Sequence, residues 1–281
     1  MSEAPGRPRR FPLLLDELGG AAAGSVSKSR EMLMPQRHLQ QATIDAAKQA
    51  APIGLGLDSA HVRERMAQRL QQDGLRDERV LKALAQLPRH QFIDSALANQ
   101  AYEDTSLPIG HGQTISKPSV VGRMLSLLFE GASASRQGHL GKAMEIGTGC
   151  GYQAALLGQL ARQVVSIERL KPLHEKARTN LASLPRGKRP DIRLIYGDGR
   201  LGFAPGAPFD SIIAAAGGED LPQQWLDQLA PGGRLVAPMS APGGRGQLLV
   251  VVDHLVDGAV SRFVRSEFEP VLFVPLKSGV L

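Results

Sequence analysis

Ala143-Met-Glu-Ile-Gly-Thr-Gly-Cys-Gly-Tyr152 reads as a short apolar strand that runs straight into three alternating glycines and then into a helix. Glycine at 147, 149 and 151 lets the backbone turn tightly and approach a ligand where a Cβ would collide. A helix that starts immediately afterwards presents free N–H groups and a positive dipole end, a seat for the polar end of a nucleotide or for a carboxylate. The next apolar run, Val164-Val-Ser-Ile-Glu168, ends in an acid. A carboxylate there is placed to accept hydrogen bonds from both hydroxyls of a ribose. Strand, glycine turn, helix, strand and terminal acid together predict a nucleoside-binding domain.

The glycine spacing narrows the choice of nucleoside. Dinucleotide sites carry GxGxxG, whereas this chain has GxGxG with Tyr152 in the place of the third glycine of that fingerprint. With Glu145 two residues before the first glycine, the pattern resembles motif I of the S-adenosylmethionine-dependent methyltransferases. A strand-to-helix turn that binds nothing is the competing reading, and Glu168 counts against it.

With 281 residues and 42% hydrophobic content, the chain can bury one large domain, with or without an appendage. The formal charge of +6 permits anionic partners, but the basic residues are scattered, with small clusters only at Arg7–Arg10 and Arg186–Arg193. Such scatter fits a solvated surface, so no specific nucleic-acid partner is expected. Cys150 is the only cysteine, which rules out an intramolecular disulfide and points to a reducing, cytoplasmic compartment. No apolar run is long enough to span a bilayer, and Phe11–Leu15 is too short for a signal-peptide core. The histidines show no HxxxH spacing, so no metal site is expected. A monomer is expected.

Residues 1–57 look like a flexible extension, with linker-like stretches around 21–30 and 52–56 and at most a short helix over 39–50. Residues 58–281 are expected to form one domain, which the motif I resemblance reads as a methyltransferase domain divided into a helical subdomain and substrate loop at 58–130 and a cofactor-binding sheet at 140–281. Ser59 can cap a helix with Val62, Met66 and Leu70 on one face, closed by Gly74. Asp77 can cap a second, carrying Val80, Leu81, Leu84 and Leu87 and stopped by Pro88; a third is expected over 91–99. From 142 onward the pattern alternates strand and helix, with strands at 142–146, 163–168, 191–196, 209–215 and 233–238. Two more, at 248–253 and 260–268, flank Asp257-Gly258, a dipeptide suited to a hairpin turn. The predicted fold class is α/β: a Rossmann-like, doubly wound, mostly parallel seven-stranded sheet with an antiparallel edge, preceded by the helical subdomain.

Ligands in such sheets sit beyond the carboxyl ends of the strands. The 147–151 turn, Glu168, Gly197-Asp198-Gly199 and Ala214–Gly218 all fall at such ends and are expected to converge. Asp198, flanked by glycines, can approach the adenine amino group; a plain turn is the alternative. Before the sheet lies Leu107-Pro-Ile-Gly-His-Gly-Gln-Thr-Ile-Ser-Lys-Pro118, an ordered-loop sequence in which Ser116, by its residue type alone, is a helix N-cap.

Gly112-Gln-Thr-Ile-Ser116, followed by a proline and a helix bearing Arg123-Met124, resembles the signature loop of the protein-L-isoaspartate O-methyltransferase family. Pro88-Arg-His-Gln-Phe92, Ala101-Tyr-Glu-Asp104, Glu145–Gln153, Val165–Arg169, Gly197–Gly199, Pro208–Ile213, Pro231–Val236 and Phe273–Leu276 match its other motifs in order. The resemblance runs from about residue 60 to the end. It implies S-adenosylmethionine as cofactor and isoaspartyl-containing proteins and peptides as substrates. It also implies a cofactor site at Gln113, Thr114, Ile115, Glu145, Gly147, Thr148, Gly149, Gly151, Glu168, Arg169, Asp198, Gly199 and Gln247, with Ser116 as the active-site serine. Ala214–Gly218 lacks the prolines often found there in the family, and three single positions depart from its common pattern as well. Lys117 stands where a neutral residue is usual, Ser119 where an aromatic or histidine often sits, and Cys150 in place of serine. Cys150 reads as a quiet substitution, with a thiol of lowered pKa at the helix N-terminus as the alternative.

The implied reaction is attack of the free α-carboxylate of an L-isoaspartyl residue on the sulfonium methyl, giving a methyl ester and S-adenosylhomocysteine. The ester then cyclises to a succinimide without the enzyme. A carboxylate is already ionised at neutral pH, so no strong general base is called for. Two other readings stay open. One is a nucleic-acid or small-molecule methyltransferase on the same fold, although Ala215-Ala-Gly-Gly-Glu219 replaces the Asn/Asp-Pro-Pro-aromatic motif of amino-methylating DNA enzymes. The other is a silent binding module, against which the intact Glu168, Asp198 and glycine turn speak.

Overall fold

The computed structural model describes residues 60–184, 191–244, 246–258 and 260–281. The expected extension over 1–57 and the Ser59 cap lie outside the described residues. The first helix, α1 (Ala60–Gln72), buries Met66, Ala67 and Leu70 and is followed by Gly74 at φ +106°. In α2 (Glu78–Gln86) the Asp77 carboxylate accepts the N–H groups of Arg79 and Val80, the capping role predicted for it. The helix expected over 91–99 is instead two 3-10 turns, Arg89–Phe92 and Ser95–Gln100. Asp94 divides them, because its extended backbone breaks the run and its carboxylate accepts the N–H of Ala96.

The stretch expected to be an ordered loop folds as an antiparallel hairpin of β1 (Leu107–Gly110) and β2 (Gln113–Ile115). His111 and Gly112 both have positive φ, 54° and 66°, as a two-residue hairpin turn that follows the strand twist requires. The chain continues into α3 (Pro118–Phe129) and α4 (Ala132–Gln137). The short α4 carries Ala-Ser-Ala-Ser and therefore no apolar periodicity, which is why it does not stand out in the sequence.

The sheet then forms from β3 (Lys142–Ile146), α5 (Tyr152–Leu160), β4 (Gln163–Glu168), α6 (Lys171–Ser183), β5 (Ile192–Tyr196) and β6 (Phe209–Ala214). It is completed by α7 (Gln223–Asp227), β7 (Leu229–Ser240), β8 (Gln247–Asp257) and β9 (Val260–Val271). Strand order is β5-β4-β3-β6-β7-β8-β9; pairings are parallel as far as β7 and antiparallel from β7 to β9. The seven strands and the antiparallel edge are as predicted. β7 starts earlier than expected, passing through Pro231-Gly-Gly233 beside a register irregularity opposite Phe209–Ser211.

Alternate strand residues bury two faces. Ala143, Val164, Ile213, Val236 and Val251 pack with the N-terminal helices and α5. Met144, Ile146, Val165, Ile167, Ile212 and Leu235 pack on the other face with Trp225, whose indole N–H donates to the Gly199 carbonyl at 2.8 Å. The order of the sheet reverses at β3, which has β4 on one side and β6 on the other, and a ligand crevice opens at that point. Among the described residues, no helix is long and apolar enough to cross a membrane.

Arg234 ties the helical layer to the sheet. It forms two bonds with Asp253 across β7 and β8, at 2.7 and 2.8 Å, and a third to the Leu127 carbonyl of α3 at 2.9 Å. Arg234→Ala leaves a largely buried carboxylate and a carbonyl without their partner, and is expected to destabilise the fold by about 2 kcal/mol or more. Urea titration would show this as a lowered midpoint; an unchanged midpoint would make the network incidental.

Candidate active site

At the end of β3 the three glycines take φ values of +89°, +56° and +90° for 147, 149 and 151. Gly149 is also close to the hairpin: a Cβ there would lie 3.1 Å from Ile109 Cδ1. The turn is braced by Glu168 at the end of β4. One of its oxygens accepts the Gly149 N–H at 2.8 Å and the other the Leu170 N–H at 2.9 Å. Each oxygen keeps a second lone pair for another donor.

Beneath the turn, hydroxyls run inward. Thr148 Oγ1 is 2.6 Å from Ser166 Oγ, and Ser166 donates to Glu145 Oε2. Glu145 is fully buried, and its Oε1 has no hydrogen-bond partner. Burial pushes its carboxyl from 4.5 up to about 8, against the opposing hydrogen bond from Ser166. The Cys150 thiol is buried too and is pushed up, so the alternative of a lowered pKa at the helix N-terminus does not hold; loss of solvation outweighs the dipole.

A cavity of about 370 Å³ opens at this point. One wall is the hairpin, with Ile109 and His111 to Ser116; another is Ile146 to Cys150 with Tyr152 and Gln153. Ile167 to Leu170, Leu173, Gly199, Ala215 and Ala216 line it as well. Of the residues expected at the site, Gln113, Thr114, Ile115, Gly147, Thr148, Gly149, Glu168, Arg169 and Gly199 line the cavity with Ser116. Glu145, Gly151, Asp198 and Gln247 do not. Glu145 lies deeper in the sheet. Gly151 packs on α6, its added Cβ meeting Ala177 at 3.3 Å. Asp198 accepts from Arg200 N and, at 2.6 Å, from Gly279 N. Gln247 brackets Phe273, accepting its N–H at 2.7 Å and donating to its carbonyl at 3.4 Å.

One wall shows in the sequence only as a motif match, with no role at the site given to it. Val274–Lys277 and Leu281 also line the cavity. This segment pairs with Gly217, whose N–H donates to Val274 O and whose carbonyl accepts from Leu276 N. Gly217 has no room for a side chain: a Cβ would sit 2.1 Å from the Gln247 amide. Phe273–Leu276 matches a family motif in the sequence, but it lies outside any predicted element and so was not placed at the cavity.

On the far side of Ser116 lies a groove of about 1150 Å³ between α1–α2, α3 and residues 269–273. Ser116 lines both cavities. It is not the cap of α3, since Lys117 occupies that position and makes no side-chain cap bond. Asp104 takes the capping role from a distance, accepting the Ser119 N–H and hydroxyl, both at 2.8 Å, with the Lys117 ammonium 3.7 Å away. The two departures at 117 and 119 thus share one partner. Among the described residues the Ser116 hydroxyl makes no hydrogen bond to a histidine or carboxylate, so no charge-relay pair is built around it.

A family model described as protein-L-isoaspartate(D-aspartate) O-methyltransferase matches residues 61–281. The chain belongs to that family. The protein-L-isoaspartate O-methyltransferase of Methylibium petroleiphilum is 60% identical over 270 residues, covering 96% of each chain. That of Leptothrix cholodnii is 55% identical, covering 99% of this chain and 98% of the relative. A solved protein-L-isoaspartate O-methyltransferase superposes with a TM-score of 0.66 at 25% identity, covering 78% of this chain and 67% of that one. The Plasmodium falciparum β-aspartate methyltransferase structure, in complex with S-adenosyl-L-homocysteine, shares the fold with a TM-score of 0.62 at 22% identity, covering 76% and 98%. The chain is therefore an enzyme of isoaspartyl methylation with S-adenosylmethionine as cofactor. Its 370 Å³ cavity suits that group: a buried carboxylate with spare lone pairs, a turn in which Gly147 and Gly149 carry no side chain, and apolar Ile146, Ile167 and Leu173.

Glu145 should leave a mark on the pH dependence of this methyltransferase's stability. The unfolded side chain ionises near 4.5, whereas the folded one keeps its proton to about 8. Its contribution is full below about 4.5 and is lost as pH rises towards about 8, at up to about 1.4 kcal/mol per pH unit. In Glu145→Gln this loss should vanish. Denaturant titrations at pH 5, 6.5 and 8 would test it, and parallel pH dependence in the two proteins would contradict it.

Proposed function

We propose that methyl transfer takes place at Ser116, with the cofactor in the smaller cavity and the damaged peptide in the larger groove. The observation that carries this is the position of Ser116 as the lining residue common to both. Bound S-adenosylmethionine supplies an electrophilic methyl on a positively charged sulfur. Glu168 would accept hydrogen bonds from the ribose hydroxyls with its free lone pairs. Gly147 and Gly149 keep side chains away from the cofactor, while Gln113 to Ile115 close the cavity from the hairpin. Glu145 acts from beneath, through Ser166 and Thr148.

Ser116 would donate its hydroxyl hydrogen to the α-carboxylate of the isoaspartyl residue and so hold one oxygen in line with the methyl. It needs no general base, because the carboxylate arrives ionised. The rate then comes mainly from orientation in a site that excludes water. Peptide selectivity would follow from the groove's walls rather than from a single pocket. Its charges are largely paired: Arg79 with Asp77, and Arg123 with Glu269 and Glu130. Balanced charge of this kind suits peptide better than a nucleic-acid backbone, which calls for unopposed cations.

A monomeric enzyme is part of this reading. The lone buried cysteine supports a reducing, cytoplasmic setting.

Two peptides identical except for isoaspartyl or aspartyl at one position would test the reading with labelled S-adenosylmethionine. Base-labile label is expected on the isoaspartyl peptide alone; label on both, or on neither, would reject it. In Ser116→Ala, kcat/KM should fall by about 100-fold or more while the dissociation constant of S-adenosylhomocysteine stays within about two-fold. Comparable losses in both would move Ser116 from substrate to cofactor.

A further inference from the structure

The cavity's walls differ in how firmly they are held. Ile146, Thr148 and Glu168 are buried within the sheet and its turns. The last residues of the chain are exposed, Val280 at 47% and Leu281 at 69%. Hydrogen bonds to two places hold them. Arg169 donates from Nε to Gly279 O at 2.9 Å and from Nη2 to Ser278 O at 3.2 Å. Leu281 N donates to Arg169 O, and Leu281 O accepts from Lys171 N, both at 2.8 Å. Asp198 accepts the Gly279 N–H at 2.6 Å. Lys277 and Leu281, at the two ends of this segment, line the cavity. A segment held by hydrogen bonds with little apolar burial opens at the low end of the free-energy scale, whereas the buried walls open only with much of the fold.

We propose that Arg169 and Asp198 are positioning residues that latch residues 277–281 across the cofactor cavity as a strap, and that opening of this strap sets the rate of cofactor exchange. The proposal rests on the cavity being the cofactor site. It assigns Arg169 and Asp198 a role exerted through the strap. Each hydrogen bond of the latch shifts the closed-to-open ratio by a factor of about two to ten. A gate also leaves a kinetic signature that a lost contact does not. Raising the open fraction accelerates binding and release together, whereas removing a direct contact accelerates release alone.

Surface plasmon resonance with S-adenosylhomocysteine as the probe separates these cases. The full chain would be compared with Arg169→Ala, Asp198→Ala, Asp198→Asn and a chain ending at Lys277. Arg169→Ala and the shortened chain are expected to raise association and dissociation rates together, each by about five-fold or more. Asp198→Ala should do the same to a smaller extent. Asp198→Asn leaves one oxygen for the two N–H donors of Arg200 and Gly279 and should fall between the unmodified chain and Asp198→Ala. Loss of folded protein would lower binding capacity, which is read separately from the rates. An unchanged association rate in Arg169→Ala and the shortened chain would overturn the latch while leaving the cofactor site intact. Failure of the unmodified chain to bind the probe would instead reject the cofactor site itself.

Discussion

The Glu168 carboxylate holds together parts of the site that come from different strands. It ends β4, yet it bonds the glycine turn that ends β3 and the first residues leading into α6. The turn needs such a brace because three left-handed glycines in five residues carry a large conformational entropy into the unfolded state. Once the turn is set, Gly149 sits against Ile109, and the hairpin has a defined place to pack. The hairpin in turn leads directly to Ser116. One buried anion thus fixes the turn, the hairpin's seat and, through it, the point where two cavities meet.

Features encoded by neighbouring residues were plain in the sequence. The strand–glycine–helix unit, the Asp77 cap and the Asp257-Gly258 turn each follow from backbone preferences within a few residues. The mostly parallel sheet with its antiparallel edge was accessible because alternating strands and helices leave few topologies. What failed locally was equally physical. β1 and β2 are too short to show alternation, and α4 is built from residues too small to show a face.

Long-range partnerships left no local sign. Lys117 and Ser119 stood out as departures from the family's pattern, but nothing near them in sequence points to Asp104. Asp198 has good turn chemistry and bonds Arg200 as a turn would, while its other oxygen reaches a residue near the end of the chain. Glu145 occupies a motif position expected to face a ligand, and the structure places it inside the sheet instead. Its burial depends on Ser166 from the neighbouring strand being available to hydrogen-bond it.

The wall between the two cavities has a consequence for the catalytic cycle. Since the smaller cavity and the larger groove share Ser116 and are otherwise lined by different residues, the occupant of one does not stand in the path of the other. With cofactor and peptide seated as proposed, neither has to arrive first on steric grounds. Such a layout would then give a random-order sequential mechanism, in which initial-rate lines intersect and each product competes with the reactant that shares its compartment.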